Sequence, residues 1–329
     1  MRAPIQVVAG VLRDTAGQVL VAQRPAQSHQ GGLWEFPGGK LEPGETPEQG
    51  LARELHEELG VELLASRPLI QVEHDYGDRW VLLDVHLVSS YRGEPRGCEG
   101  QPLAWWPIDA LNQDRFPPAD RPVIQALGLP SLCLITPQDA PDPTDQGQKQ
   151  RMEQFLACLE RATDAGDMLV LLRAHALGDA AFAALARALV PVCQARGMRM
   201  VLNRAPGALS GLSAQGVHLT ARYLHELPEP LTKRTGLLGA SCHTAEDLAR
   251  ASDLELDYAM LSPVQATRSH PDAQPLGWDE FARLVRPARL PVYALGGLTP
   301  AELSQAWAHG AQGVAAMRGL FPAEWDSTS

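Results

Sequence analysis

Between Gly39 and Val61 the chain reads GKLEPGETPEQGLARELHEELGV, and within it Glu54, Glu57 and Glu58 follow directly behind Arg53. On a helix turning about 100° per residue, these three carboxylates fall within one arc while Leu51, Leu55 and Leu59 occupy the neighbouring one. The leucines bury and the glutamates converge. Like charges at i, i+3 and i+4 repel by about 0.2–0.5 kcal/mol per pair. The helix dipole favours acids only in the first turn. A cation is the natural partner: hard oxygen ligands select Mg²⁺ or Mn²⁺, and Mg²⁺ commonly joins a few carboxylates to substrate phosphates. A solvated acidic face is the commoner meaning of clustered charge, so the pattern around the cluster has to decide.

The elements that must position these residues divide near residue 130. Upstream, IQVVAGVLRD, QVLVAQRP and WVLLDVHLV read as strands, and one helical pattern runs from Pro47 to Leu59, which makes an α+β unit over residues 1–129. Downstream, SLCLITP, MLVLLRA, RMVLNRA, GVHLTA, LLGASCHT, YAMLSPV, PVYALGGL and GVAAMRGL are short apolar runs separated by crossover-length, Ala-rich segments. Eight such runs predict an α/β barrel of the TIM type, (β/α)8, over residues 131–329. The segments after RMVLNRA and GVHLTA are poor helix formers. The junction falls in ALGLPS, Ala126 to Ser131, where Pro130 can begin a strand but cannot continue a helix.

Composition narrows the function classes. A chain of 329 residues with 45% hydrophobic content is long enough for two cores and is not disordered. No apolar run reaches the roughly 18 residues that span a bilayer, and MRAPIQVVAGVLRD lacks the features of a signal peptide, so a soluble cytoplasmic protein without a membrane role is expected. The five cysteines show no C-x-x-C pair and read as reduced, ordinary residues. A formal charge of −11 argues against polymeric nucleic acid as a partner. It leaves room for one nucleotide, whose phosphates metal ions can neutralise locally.

Gly39, five residues, Glu45, seven residues, then Arg53-Glu54-Leu55-His56-Glu57-Glu58-Leu59-Gly60-Val61 matches every position of the Nudix box, G-x5-E-x7-R-E-U-x-E-E-x-G-U with U aliphatic. Residues 1–129 thus resemble Nudix hydrolases. The segments LWEFPGGKLEPGETPEQ, GEPRGCEGQPLAWWPI and FPPADRPVI resemble the MutT kind, the oxidised-nucleotide diphosphatases. The resemblance implies a Nudix fold, a mixed sheet with flanking helices. It implies metal ligation by Glu54, Glu57, Glu58, the loop residue Glu99 and the carbonyl of Gly38, with Arg53 orienting the carboxylates. The implied reaction is attack of water on a nucleoside triphosphate, releasing pyrophosphate and a monophosphate. Attack on phosphorus builds charge on the equatorial oxygens, which divalent ions neutralise while acidifying the water. A general base must reach that water, and Glu54 and Glu99 are both candidates.

Arg24, His29, Phe36 and Arg79 match the substrate pocket of the MutT kind, although on residue type alone Phe36 also reads as core and the arginines as surface. Base choice turns on Asp120. In the MutT kind an Asn in FPPAN donates to the purine O6 and accepts from N7–H, a proton present only in the 8-oxo base; here the segment reads FPPAD. An ionised carboxylate only accepts, whereas a protonated Asp120 could do both, and burial beside an apolar base raises a carboxyl pKa. Alternatively Asp120 caps a turn or pairs with Arg115 and Arg121. An 8-oxoguanine nucleotide is the expected substrate.

The order GVHL, GASCHTAEDL, DYAMLSPV, PVYALGGLTPAEL and GAQGVAAMRGL resembles the thiamin phosphate synthase and TenI superfamily over about residues 131–321. Barrels commonly bind phosphate in the loops after strands seven and eight, which suits Gly296, Gly297 and Gly319, though glycines there also simply make turns. The synthases carry Asn-Asp after strand three and Gly-Gln-Glu-Asp after strand four, whose aspartates hold Mg²⁺–pyrophosphate. Here those places read Asn203-Arg204 and Thr220-Ala221-Arg222-Tyr223. The Gln-x-Arg-x-Lys clamp keeps only Arg173, with Leu171 and His175 at its ends, and His270 stands at the place of a loop lysine. His243, in Ser241-Cys242-His243-Thr244, matches the proton-moving histidine of TenI, a thiazole tautomerase, but also occurs in synthases. A tautomerase of a thiazole phosphate, a residual synthase, or a non-catalytic module for a small phosphate are the readings that follow.

Overall fold

The computed structural model describes residues 3–163, 166–205, 211–231, 236–267, 272–322 and 325. The chain divides into two compact units, residues 1–128 and, apart from 286–291, residues 129–329. Among the described residues no helix is long and apolar enough to cross a membrane.

The first unit is the mixed-sheet fold implied by its sequence. In chain order it contains β1 (Ile5–Val11), β2 (Val19–Gln23), β3 (Trp34–Glu35), β4 (Gly38–Lys40), α1 (Pro47–Leu59), β5 (Glu62–Asp75), β6 (Trp80–Arg92), β7 (Leu103–Trp106) and α2 (Arg121–Leu127). One sheet has the order β4-β1-β6-β5, with β1 and β6 parallel and the other pairs antiparallel. A smaller sheet has the order β3-β2-β7. α1 starts where capping chemistry starts it: the Thr46 hydroxyl accepts from the Gln49 N–H, the Gln49 side chain accepts from the Thr46 N–H, and Pro47 takes the first helical position. Leu51, Leu55 and Leu59 are fully buried beside Val8, Leu12 and Leu20. Each such leucine contributes about 1.5–3 kcal/mol of burial, enough to fix which face of α1 turns inward. The carboxylates on the adjoining arc are therefore held toward β4.

The second unit is a closed barrel of eight parallel strands: β8 (Leu132–Ile135), β9 (Met168–Leu172), β10 (Arg199–Leu202), β11 (Gly216–Leu219), β12 (Leu237–Cys242), β13 (Tyr258–Leu261), β14 (Val292–Leu295) and β15 (Gly313–Ala316). Strand β15 pairs with β8 and closes the ring. The helices are α3 (Lys149–Thr163), α4 (Asp179–Ala195), α5 (Ala221–Glu226), α6 (Ala245–Asp253), α7 (Gly277–Val285) and α8 (Leu303–Ala308). α5 is the short helix that the poor segment after GVHLTA supports, and no helix is described between β10 and β11. The barrel interior is filled by Cys133, Leu169, Val201, Tyr258, Met260 and Tyr293. Its size alternation is specific: a Cβ on Gly239 would lie 2.1 Å from the Tyr258 ring, so the missing side chain on β12 is the space that the tyrosine of β13 occupies.

Candidate functional site

Arg53 organises the acidic face of α1. Its Nε and Nη2 donate to the two carboxylate oxygens of Glu45 at 2.8 and 3.0 Å, a bidentate pair. Its Nη1 donates to Glu54 at 2.8 Å and to Glu57 at 3.1 Å, and Nη2 also reaches the Lys40 carbonyl at 3.0 Å. The bonds from Arg53, with the Glu42 N–H, hold the Glu45 carboxyl down to about 2. One guanidinium thus gathers three glutamates and ties them to the end of β4. Gly39 makes room for this: a Cβ there would lie 2.4 Å from the Glu54 carboxylate.

Glu58 points the other way, accepting from the Gly38 N–H at 3.1 Å. Burial first, then the charge of Glu35, pushes its carboxyl up to about 8 against the pull of the Gly38 N–H, with Glu54 and Glu99 adding to the rise. Glu99 comes into this field because its loop is pinned to the end of α1. The Glu58 carbonyl accepts from the Cys98 N–H at 2.9 Å and from the Gln101 side chain at 3.0 Å, and the same Gln101 accepts from the Glu99 N–H at 2.9 Å. Nothing in sequence spacing announces Gln101. Glu35 carried a signal, its place in LWEFPGG, but its link to Glu58 is visible only in three dimensions.

The donor set fits a hard divalent cation in kind: four carboxylates and no nitrogen or sulfur ligand. Among the described residues no group of three His, Cys, Asp or Glu side chains is gathered so as to hold an ion as it stands. Arg53 engages Glu54 and Glu57 instead, and the Gly38 N–H engages Glu58.

A second cluster lies across β3 and the loop joining β5 and β6. Arg24 pairs with Glu35 and donates from Nε to the His29 carbonyl at 2.9 Å. The His29 ring meets Tyr76 edge-on at 4.9 Å and lies 3.7 Å from Asp78, which Arg79 holds with two bonds at 2.9 and 3.1 Å. Phe36 is core, 2% exposed and stacked on Phe116 at 5.6 Å. Asp120 is 6% exposed, caps nothing at the start of α2 and makes no side-chain hydrogen bond among the described residues. The arginines weighed as its partners are engaged elsewhere: Arg121 lies 3.7 Å from Asp114, and Arg115 lies over the Trp106 ring at 4.6 Å. Burial, then the charge of Glu35, raises the Asp120 carboxyl well above the ordinary range, with Arg24 opposing. Glu35 therefore stands between this cluster and the carboxylates of α1.

In the barrel, a cavity of about 1100 Å³ opens at the carboxyl ends of the strands. Gly296, Gly297, Gly319 and His243 all line it. Gly296 and Gly297 have φ of 107° and 70°, a conformation that favours glycine, and pack against Pro263 and Ala266. His243 Nδ1 lies 3.0 Å from the Ser262 carbonyl and 3.3 Å from the Ser262 hydroxyl, so that residue orients the ring. Arg204 does not line the cavity; it donates to the carbonyls of Asn203, Ala174 and Leu177 and lies 3.8 Å over the Phe182 ring. Arg222 lines the cavity and bonds Glu226 at 2.7 Å. His270 lies outside the described residues.

An acid-faced helix on a mixed sheet, joined to a closed (β/α)8 barrel with a cavity at its carboxyl end, defines a protein of an α+β module and an α/β barrel module. The chain belongs to the Nudix family through residues 8–126 and to the thiamine monophosphate synthase family through residues 144–320, a fusion of the two. The first module is 42% identical to the 8-oxo-dGTP diphosphatase of Escherichia coli strain K12, over 95% of that protein and 37% of this chain. It is 40% identical to the CTP pyrophosphohydrolase of the same organism, over 90% of that protein and 37% of this chain. The barrel is 30% identical to a putative thiamine-phosphate synthase 2 of Aquifex aeolicus strain VF5, over 95% of that protein and 57% of this chain.

Proposed function

We propose that the Nudix module hydrolyses an oxidised purine nucleoside triphosphate of the 8-oxo-dGTP kind to the monophosphate and pyrophosphate. The observation that carries this reading is the pairing of an arginine-ordered carboxylate cradle with a buried, unpartnered carboxyl, Asp120. Glu54, Glu57, Glu58, Glu99 and the Gly38 carbonyl would hold Mg²⁺ or Mn²⁺, which supplies charge neutralisation at the phosphates and an acidified water. Arg53 fixes the directions of Glu54 and Glu57 before substrate arrives. Glu54 and Glu99 are the two carboxylates that serve as candidate proton acceptors for the water; pH profiles of Glu54→Gln and Glu99→Gln separate them.

Neutral Asp120 matches the 8-oxo base. Its O–H donates to O6 and its carbonyl accepts from N7–H, so one protonated carboxyl does the work of an amide. Arg24, His29, Phe36 and Arg79 border the same cluster and are assigned to substrate binding. A second reading is favoured by the CTP pyrophosphohydrolase relative: an ionised Asp120 would accept from the exocyclic amine of cytosine. Comparing kcat/KM for 8-oxo-dGTP, dGTP and CTP decides. The first reading predicts 8-oxo-dGTP ahead of dGTP by about 100-fold or more, because a site built around a base donor rejects the base lacking it. Equal values would sink it, and CTP ahead of both would establish the second.

For the barrel, we infer that synthase chemistry is lost. Departure of pyrophosphate needs charge stabilisation at its oxygens, and Arg204 and Tyr223 stand where the family's metal-binding aspartates would be. His243, held by Ser262 on the cavity wall, supports proton transfer on a small thiazole phosphate, with Gly296, Gly297 and Gly319 assigned to the phosphate. Aromatisation of the thiazole phosphate tautomer by the full-length protein tests this, and saturable binding without turnover would make the barrel a binding module.

A further inference from the structure

Asp120 is a buried carboxyl without a partner. It is 6% exposed, caps no helix and makes no side-chain hydrogen bond among the described residues. The turn that carries it, Pro118–Asp120, packs against β5 and α2. On α2, Arg121 lies against Asp114 instead. The groups whose charge reaches Asp120 are Glu35 of β3 and Arg24, which pair with each other, and the Tyr76 hydroxyl in the hairpin after β5. On β5 itself, burial above all holds His74 below its ordinary value, which favours its neutral form. A polar group withdrawn from water without a hydrogen bond is a standing cost, relieved by a ligand that brings one.

A carboxyl can meet a base in two ways. Neutral, it offers one O–H donor and one acceptor; ionised, it offers two acceptors and no donor. The purine edge that it faces carries the group on C6 beside N7. Guanine presents O6 there and adenine presents its N6 amine, while N7 of either base accepts. Oxidation at C8 puts a proton on N7 and turns that atom into a donor. The neutral carboxyl therefore matches O6 and N7–H of 8-oxoguanine. The ionised carboxyl matches the two donors, N6–H and N7–H, of 8-oxoadenine. A side-chain amide cannot do the second, because its NH2 group would face another donor.

Burial, then Glu35, opposes ionisation of Asp120 in the empty site, and Arg24 favours it. Two N–H donors from a base move that balance, since hydrogen bonds to a carboxylate stabilise its charged form. We propose that the Nudix module has a second substrate, an 8-oxoadenine nucleoside triphosphate, which Asp120 reads as a carboxylate. Water adds across the same phosphoanhydride bond, giving 8-oxo-dAMP and pyrophosphate, and Asp120 releases one proton to solvent when this base binds. It keeps that proton when 8-oxoguanine binds. The ratio of the two activities therefore follows the ratio of ionised to neutral Asp120, which rises about tenfold per pH unit. Ionisations of the hydrolytic groups are common to both substrates and cancel in that ratio.

This inference rests on the proposed placing of Asp120 against the base, and the two fail differently. Full-length protein in saturating Mg²⁺ is assayed for kcat/KM on 8-oxo-dATP, dATP, 8-oxo-dGTP and dGTP between about pH 5.5 and pH 7.5. At the upper end, 8-oxo-dATP should lead dATP by at least about tenfold, because the carboxylate meets a lone pair on N7 of the unoxidised base. The ratio of 8-oxo-dATP to 8-oxo-dGTP should climb by about tenfold per pH unit. Asp120→Asn should lower that ratio by at least about tenfold at the upper end and abolish its slope, and a thermal melt verifies that the variant folds. A carboxyl that only fills space would move neither. Wild-type protein that hydrolyses 8-oxo-dGTP no better than dGTP would defeat the placing of Asp120. With that preference present, 8-oxo-dATP no better than dATP, a flat ratio, or a folded Asp120→Asn protein with the wild-type ratio and slope would each overturn the second substrate.

Discussion

Gly39→Ala removes no charged group and no hydrogen-bonding atom, yet it should be among the most damaging single changes in the Nudix module. An added Cβ would lie 2.4 Å from the Glu54 carboxylate, whereas ordinary contact begins near 3.4 Å, so the carboxylate must retreat by about 1 Å. That carboxylate is held by Arg53 at 2.8 Å, and a displacement of this size breaks the bond. Misplacing a reacting or positioning group by about 1 Å costs on the order of 100-fold in rate. Because the clash is with the end of a flexible side chain, the fold should survive, with little change in melting temperature. The assay is kcat/KM for 8-oxo-dGTP in saturating Mg²⁺, beside a thermal melt and a circular dichroism spectrum. A folded Gly39→Ala protein within about threefold of wild type would refute the reasoning, since Glu54 would then tolerate a position that the variant forces on it.

Three further outcomes follow from the same geometry. The raised Asp120 carboxyl means that its contribution to stability is fully present below the unfolded carboxyl pKa, near 3.9, and is lost as pH rises from there through the folded value. Asp120→Asn cannot ionise, so melting curves between pH 4 and pH 8 should show the variant gaining on wild type as pH rises; parallel profiles would contradict the assignment. Tyr258→Phe leaves buried His218 Nδ1 without its partner and should cost about 1–3 kcal/mol in urea unfolding of the barrel, with a null result excluding that hydrogen bond. Gly239→Ala drives a Cβ into the Tyr258 ring and should cost about 1–3 kcal/mol by the same measurement, whereas an unchanged midpoint would mean that the barrel interior is looser than described.

Different parts of the structure were legible in the sequence for different physical reasons. The barrel strands are buried on both faces, so each shows as an unbroken apolar run such as MLVLL in β9, and all eight could be read. α1 announces its ends through Thr46, Pro47 and Gly60, and the observed bounds are those the pattern gives. β5 was missed. It lies at an edge of its sheet, carries Pro68 and shifts register beside it, so alternation is broken along its length. β3 and β4 are two and three residues long, too short for any period to show. The carboxylates of α1 could be placed because they share one helix. Glu35 and Gln101 could not be linked to them, since those links run through the β3 strand and through a loop docked on the last turn of α1. Asp120 shows the same limit from another side: capping a turn, pairing with an arginine and facing a base all fit its residue type, and its burial without a cap or arginine partner removes the first two.

The central claim is that the α1 carboxylates carry nucleotide hydrolysis, and Glu54→Gln tests it most directly. The substitution keeps shape and removes one charge, leaving Arg53 a neutral oxygen in place of its carboxylate partner. With 8-oxo-dGTP and Mg²⁺, release of pyrophosphate and monophosphate should fall by on the order of 100-fold to 1000-fold in kcat, with the fold intact. Hydrolysis that survives undiminished in the folded variant would contradict the account and place the chemistry elsewhere.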